Sequence, residues 1–367
     1  MNKTYYSLGL MSGTSMDGVD ASIIQSDGET KYKVIVDQYF EYPQAIYKDL
    51  ITLRDKIVNS EDLKRLSKEI IEIEKKITLF HAKVSAEIIK KSRINIDLVG
   101  FHGQTIFHNA KKKISKQLGD GKLLSNLINK TVIYNFRQND MKNGGEGAPL
   151  TPVFHKMIEK NFNIKPVSFF NIGGILNRTT IWDDGELTAK DEGPGMCLID
   201  KWIRTNSNKK YDTNGDIAKS GKVNTIILEK YWDSYRKSDV KQISYDISDF
   251  DISYVKSLSL EDGAATLTLY TANHFISNFK VNEQFKERFK EKIILCGGGR
   301  KNKFLVDIIK SYKKDIKLID DYGIDGDFVE SQAFAYLAIR SYLKLPISFP
   351  ETTGVKKPCT GGVIIKN

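Results

Sequence analysis

The chain reads as an α/β protein built from two related domains that face each other across a cleft. Three observations predict this. Its 367 residues are too many for one ordinary core. Two stretches, GLMSGTSMDGVDAS (Gly9–Ser22) and NIGGILNRT (Asn171–Thr179), each read as a strand, a glycine turn and a returning strand. Helical sequence follows each of them, so the β-rich start is duplicated. The two hairpins share no identical run, so the repeat lies in pattern and not in residues.

The elements follow in order. Tyr5–Met11, Val19–Gln25 and Tyr32–Tyr39 are strands. After Ser60, read as an N-cap followed by two acids, Leu63, Leu66, Ile70, Ile73, Ile77, Phe80, Val84 and Ile88 recur every three or four residues. That spacing is one face of a long core-packing helix. Ile96–Phe101 is a strand running into His-Gly-Gln-Thr, and Thr131–Phe136 is another, leading into a polar Gly-rich loop. In the second half Val167–Ile172 meets Gly173-Gly174, Ile175–Trp182 returns, and Leu187–Lys190 ends in Asp-Glu-Gly-Pro-Gly. Lys292–Cys296 meets three glycines and a helical stretch through Tyr312; Gln332–Leu343 is alanine-rich and helical.

Composition narrows the function. Hydrophobic residues at 40% and charged residues at 28% leave ample material for a core. The net charge is +10, but the lysines are spread along the chain, with no arginine-aromatic cluster of a nucleic-acid reader. A solvated basic surface is expected, one that also draws in an anionic small substrate. Cys197, Cys296 and Cys359 are odd in number and far apart, which suggests neither a disulfide framework nor a zinc site. No apolar run approaches a membrane span and the N-terminus is no signal peptide, so a cytoplasmic protein with no membrane partner is expected.

Several motifs carry chemistry. In the first turn, Gly13-Thr14-Ser15 lets backbone amides approach a phosphate and make an anion nest, with the Ser12, Thr14 and Ser15 hydroxyls as further donors. Asp17 beside phosphates needs a cation between them, so its role there is Mg²⁺. The plainer alternative is a hairpin whose Asp17-Gly18 only satisfies turn geometry. No Walker loop occurs in the stretch, and Gly297-Gly298-Gly299 fails the dinucleotide fingerprint, though a strand, three glycines and a helix offer a flat surface for adenine or ribose. His102 and His108 suit no helical metal pair; His102, Gln104 and Thr105 suit hydrogen bonding to a polar substrate. Asp191, fixed before Gly-Pro-Gly, is either a general base or an Asx-turn or cap for Cys197–Arg204.

Together these pieces resemble the anhydro-N-acetylmuramic acid kinases, of the sugar-kinase, actin and heat-shock chaperone ATPase superfamily. The matching stretches are GLMSGTSMDGVDA, FHGQTIFH, FRQND…GGEGAPLTPVFH, NIGGILNRT, DEGPGM, YDTNGDIAKSGKV, ATLTLYTA, CGGGRKN and ESQAFAYLA, in family order from Gly9 to about residue 340. The resemblance implies two actin-like (ribonuclease-H-like) domains with mixed sheets flanking a nucleotide and substrate cleft, residues 1–133 with 337–367 and residues 134–336. It implies ATP and Mg²⁺ as cofactors and an anhydro amino sugar as substrate. The bridge is opened by water and O6 is phosphorylated, in cell-wall recycling. ATP contacts would come from Gly13, Thr14, Ser15, Met16, Asp17, Gly18, Val19 and Asp20, from Gly173, Gly174 and Asn177, and from Gly297, Gly298, Gly299 and Asn302. Asp191 would be the base and Asp17 the metal-side acid. Substrate contacts would include Thr105, Arg137 and Glu330 beside His102 and Gln104, and a homodimer is the family's expectation.

Four residues depart from the family's usual pattern: Asn135 for an aspartate, Glu146 for a glutamine, Glu192 for a threonine and Met196 for an asparagine. Two other functions stay open at this point. One is an ordinary sugar kinase acting on a free hydroxyl. The other is a degenerate nucleotide sensor that binds without turnover.

Overall fold

The protein is described here by a computed structural model, which covers residues 3–237, 245–280 and 291–366. It divides into two units, Met1–Asn163 with Asp327–Asn367, and Ile164–Gly326.

The N-terminal unit is built on β1 (Tyr5–Ser12), β2 (Gly18–Ser26), β3 (Tyr32–Glu41), β4 (Leu98–Asn109), β5 (Ile114–Leu118) and β6 (Thr131–Tyr134). The middle unit holds β7 (Val167–Ile172), β8 (Ile175–Ile181), β9 (Leu187–Pro194), β10 (Lys292–Cys296) and β11 (Ile316–Leu318), and β12 (Val363–Ile365) returns to the first sheet. The first sheet runs β12-β6-β4-β1-β2-β3, with β5 on β4. Strands β1, β2 and β3 are antiparallel neighbours, while β4 lies parallel to β1 and β6 parallel to β4. The second sheet runs β9-β8-β7-β10-β11, again three antiparallel strands and then two parallel ones. With β5 and β12 set aside, the strands of both sheets follow the same order, 3-2-1-4-5 counted within each unit. The duplication is therefore one of topology, in two mixed α/β sheets.

Alternation along β1 explains how the first sheet is covered. Leu8 and Leu10 are fully buried with Ile73, Ile77, Val84 and Ile88 of the long helix. The intervening Gly9 faces the helix Val329–Tyr342. Gly9 is in register with Gly100 on β4 and Ser22 on β2, a row of small residues across three strands. A Cβ on Gly9 would fall on the Ser331 carbonyl, and one on Gly100 on the Phe334 carbonyl. The row thus admits helix backbone almost onto the sheet, and Ser22 Oγ meets Ser331 Oγ at 2.6 Å.

Four expectations need correcting. The helix after Ser60 is a short turn, Asp62–Arg65, then a break at Leu66, then Ser67–Ser92. Ser60 is not its cap: Glu61 stands at the N-cap position with no side-chain cap, and Asn59 Oδ1 accepts from the amides of Glu61 and Asp62 in the turn before it. HGQTIFH does not follow a strand; β4 runs through it to Asn109 and pairs with β5. The units divide at 163/164 and 326/327, not at 133/134 and 336/337. Residues 134–163 stay with the N-terminal unit because Phe136 packs on Phe334, Phe154 on Tyr336, and Asp140 accepts from Thr353.

Candidate active site

The first hairpin turn has an inner and an outer face. The Met16 amide donates to the Gly13 carbonyl (3.2 Å), and Met16 takes a left-handed φ of 59°. That conformation buries the Met16 side chain in the core beside Val19. Gly18 is demanded by the fold, since a Cβ there would overlap the Tyr39 ring and the Phe40 carbonyl. Gly13 is different: a Cβ would meet only Ser15 Oγ, at 4.0 Å. Thr14 and Ser15 are exposed and Asp17 and Asp20 half-buried. Ser15 Oγ donates to Asp17 Oδ1 at 2.6 Å. Ser12, read as a further donor, points inward, held by Tyr42 Oη (2.8 Å) and His81 Nε2 (3.2 Å). Burial pushes the His81 imidazole down to about 4, so it is neutral.

Gln104 belongs to this turn. It is fully buried, and its Nε2 donates to the Gly13 carbonyl at 3.0 Å. Its Oε1 is buried with no partner among the described residues. Thr105 Oγ1 accepts from Gln117 Nε2 at 3.2 Å. His102 is the extra residue of a β-bulge, since Leu10 pairs with Phe101 and Met11 with Gly103. Burial, and then the Arg137 charge, push its imidazole down to about 3. With Nδ1–H on the Gly103 carbonyl (2.8 Å), Nε2 accepts from Arg137 Nη2 (3.1 Å). Arg137 Nη1 also donates to the Gly147 carbonyl (2.8 Å), so its fork is held in one plane. Glu330 lies half-buried in the first turn of the helix Val329–Tyr342. A polar pocket of about 310 Å³ opens beside His102, lined also by Ser115, Lys116, Asn135 and Gln138.

In the middle unit a polar row crosses the sheet, with Asn171 paired to Asn177 and Asn177 to Asp191. Asp191 lies within β9, not after it, and is half-buried. It does not cap the helix Cys197–Asn206, which has Met196 at its N-cap position and no side-chain cap. Its Oδ2 accepts from the Tyr245 amide at 2.6 Å. Gly173 and Gly174 receive the loop beyond Asp191, their carbonyls accepting from the amides of Met196 (2.8 Å) and Gly195 (3.0 Å). Asn177 Oδ1 is buried with no partner among the described residues.

The third glycine cluster splits in the same way as the first turn. Gly297, at φ 78°, lies against Asn171 Oδ1, and Gly299 lies against Ile172; a Cβ on Gly298 would meet nothing within 4 Å. Asn302 caps the helix Lys303–Tyr312, its Oδ1 accepting from Leu305 N at 2.9 Å. Arg300 steadies the turn, gripping Asp320 through Nε (2.7 Å) and Nη2 (2.9 Å) and donating to the Gly297 carbonyl.

Two of the departures from the family pattern, Glu192 and Asn135, are accommodated locally. Glu192 is buried but paired with Arg178 Nε (2.8 Å) and Lys190 Nζ (3.1 Å). The Glu146 amide bonds the Thr353 carbonyl, and Asn135 sits at φ 57°, a conformation asparagine tolerates. Sequence reading missed Tyr42 and His81, which hold Ser12, and Tyr245, whose amide holds Asp191. Only His81 had a signal, a polar residue one step from Phe80 on an apolar helix face.

A family model described as "Anhydro-N-acetylmuramic acid kinase" matches residues 5–367. A protein of that name from Pelagibacter ubique (strain HTCC1062) is 55% identical over 374 residues, covering 100% of each chain. One from Agrobacterium fabrum is 36% identical, again over 100% of each chain. One from Zymomonas mobilis is 37% identical over 97% of this chain and 98% of its own.

Proposed function

The chain belongs to the anhydro-N-acetylmuramic acid kinase family, and we propose that it opens the 1,6-anhydro bridge of anhydro-N-acetylmuramic acid with water and phosphorylates O6 in the same passage. The products are N-acetylmuramic acid 6-phosphate and ADP, in the recycling of cell-wall sugar. The chain is a phosphotransferase with ATP as donor. Neither an ordinary sugar kinase nor a silent sensor is favoured by relatives that share the whole chain.

The observation that carries the chemical reading is Asp191, a half-buried carboxylate fixed in mid-strand by the Tyr245 amide. Such a group suits a general base. Asp191 takes a proton from water as its oxygen bonds to the anomeric carbon, on the face opposite the bridge. The C1–O6 bond breaks, and O6 bonds to the γ-phosphorus as the bond to the β-phosphate oxygen breaks. The departing O6 then needs no separate acid. Positioning and charge neutralisation are what phosphoryl transfer asks of the protein. The outward part of the first turn, Gly13 to Ser15, is read as a phosphate cradle, with Gly173, Gly174, Asn177, Gly297–Gly299 and Asn302 as further nucleotide contacts. Arg137, with its fork already oriented, suits the lactyl carboxylate of the sugar. Thr105 and Glu330 are read as further sugar contacts.

Among the described residues no three His, Cys, Asp or Glu side chains gather as a metal site. Mg²⁺ bound with a nucleotide needs no such cage, since it takes one or two carboxylates, water and phosphate oxygens. Asp17, beside the turn, fits that donor set. When bound, the ion supplies neutralisation of phosphate charge.

The test is the purified protein with MgATP and the anhydro sugar in ¹⁸O-water, products read by mass spectrometry. Label at C1 and phosphate on O6 are expected, and Asp191→Asn should lower turnover by at least ~10³-fold while nucleotide binding persists. Turnover near wild type in Asp191→Asn would remove Asp191 from the role of base.

A further inference from the structure

We propose that Tyr235 and His274 are positioning residues that hold Asp191 in its working orientation by anchoring the backbone beside it, an inference that rests on Asp191 being the base. The β8–β9 ladder is broken between Leu176 and Asn177. Leu176 pairs with Gly193 and Asn177 with Asp191, so Glu192 is an extra, bulged residue. A bulge turns the neighbouring side chain out of the regular alternation, and it leaves its own residue outside the ladder. The Glu192 carbonyl is buried and needs other donors.

Two side chains from two different helices supply them. Tyr235, in the helix Thr225–Lys237, donates its hydroxyl to the Glu192 oxygen at 3.3 Å. His274, in the helix Leu260–Lys280, brings Nδ1 to the same oxygen at 3.0 Å. A carbonyl only accepts, so the proton sits on Nδ1. The ring is boxed by Trp232, Tyr235 and Tyr270, with centroids at 4.5, 4.6 and 4.6 Å. Burial there pushes the imidazole down to about 4, keeping it neutral.

The sequence is fitted to this approach. Gly193 takes φ 147°, and a Cβ on it would fall on the His274 ring. The glycine of DEGPGM therefore serves the histidine as well as the turn. On the other side Tyr245, whose amide holds the Asp191 carboxylate, brings its hydroxyl to 3.4 Å from that of Tyr235. Asp191 is thus fixed at its carboxylate by one residue and at the following carbonyl by two. Nothing in this arrangement touches substrate; it acts through the angle at which the bulge presents the carboxylate. An error of about 1 Å in that placement costs on the order of 10²-fold in rate.

The experiment compares Tyr235→Phe, His274→Leu, His274→Asn and Asp191→Asn with wild type by steady-state kinetics, with melting temperatures in parallel. Tyr235→Phe and His274→Leu are expected to lower kcat roughly 10–100-fold with KM for ATP and for the sugar changed less than about threefold. His274→Asn places an amide donor where Nδ1 stood and should recover most of the kcat lost in His274→Leu. Should His274→Leu fail to fold, Tyr235→Phe and His274→Asn still decide the matter. Wild-type kcat in Tyr235→Phe overturns the proposal, as does His274→Asn failing to exceed a folded His274→Leu. If Asp191→Asn is inactive while the other variants are unimpaired, the anchoring is wrong and the base stands. If Asp191→Asn is itself active, the base reading falls first.

Discussion

Mild acid should unfold the two units unequally. His81, His102 and His155 are buried in the N-terminal unit and His274 in the middle unit, all at 5% exposure or less. Burial, the largest cause in each, pushes them down to about 4, 3, 3 and 4. An unfolded imidazole titrates near 6.5. Between that value and about 4 the unfolded chain therefore binds more protons than the native one, and stability falls as pH falls. From about pH 7 to about pH 5.5 each site costs about 1.2 kcal/mol, which gives about 4 kcal/mol for the N-terminal unit and about 1 for the middle unit. His108 is partly exposed and adds less. Carboxylates with lowered values, such as Asp27 at about 2, lose their contribution only at lower pH. Against a typical domain stability of roughly 5–15 kcal/mol the difference is large. The assay is built into the chain, because Trp182, Trp202 and Trp232 all lie in the middle unit. Urea titrations followed by tryptophan fluorescence report that unit alone, while far-UV circular dichroism reports both. On acidification the dichroism curve should gain an early phase at low urea, with the fluorescence midpoint moving little. Equal shifts by both probes, or no shift, would refute the reasoning.

Two further predictions concern the first turn. Gln104→Leu removes the donor on the Gly13 carbonyl, worth about 1–3 kcal/mol, and should raise KM for ATP roughly tenfold in steady-state assays while kcat at saturating ATP changes little. Gly18→Ala must displace Tyr39 or the Phe40 carbonyl and should cost about 1–3 kcal/mol in a thermal melt, whereas Gly13→Ala should melt like wild type but lose much of its stabilisation by added nucleotide.

Much of the fold was legible because its signals are local. β7 and β10 begin and end where the apolar runs do, and both glycine hairpins lie where the turns were expected. What stayed hidden depends on partners distant in sequence. β5, within KKKISKQL, is lysine-rich and carries no long apolar run; only β4 beside it makes ISKQL a strand. Asp191 was singled out as a candidate by residue type and its place before Gly-Pro-Gly, but the bulge beside it appears in no single stretch, because it is a mismatch between two strands. The same holds for Gln104 and Ser12. Both looked like ligand-facing polar groups, and only packing shows one gripping the turn from beneath and the other locked to Tyr42 and His81. The domain boundary was missed for a related reason. Phe136, Asp140 and Phe154 find partners near residues 334–353, about two hundred positions away.

The small-residue row of Ser22, Gly9 and Gly100 has a consequence for biosynthesis. The helix that covers it, Val329–Tyr342, follows the whole of the middle unit in sequence. At about 5–20 residues per second, a ribosome that has finished residue 163 needs roughly 10–40 s to complete that helix. During this interval one face of the first sheet has no cover, while the contiguous middle unit can collapse as it emerges. The order of synthesis is thus the reverse of the order of completion. A nascent chain stalled before residue 329 should display a protected middle unit and a protease-sensitive, chaperone-binding start.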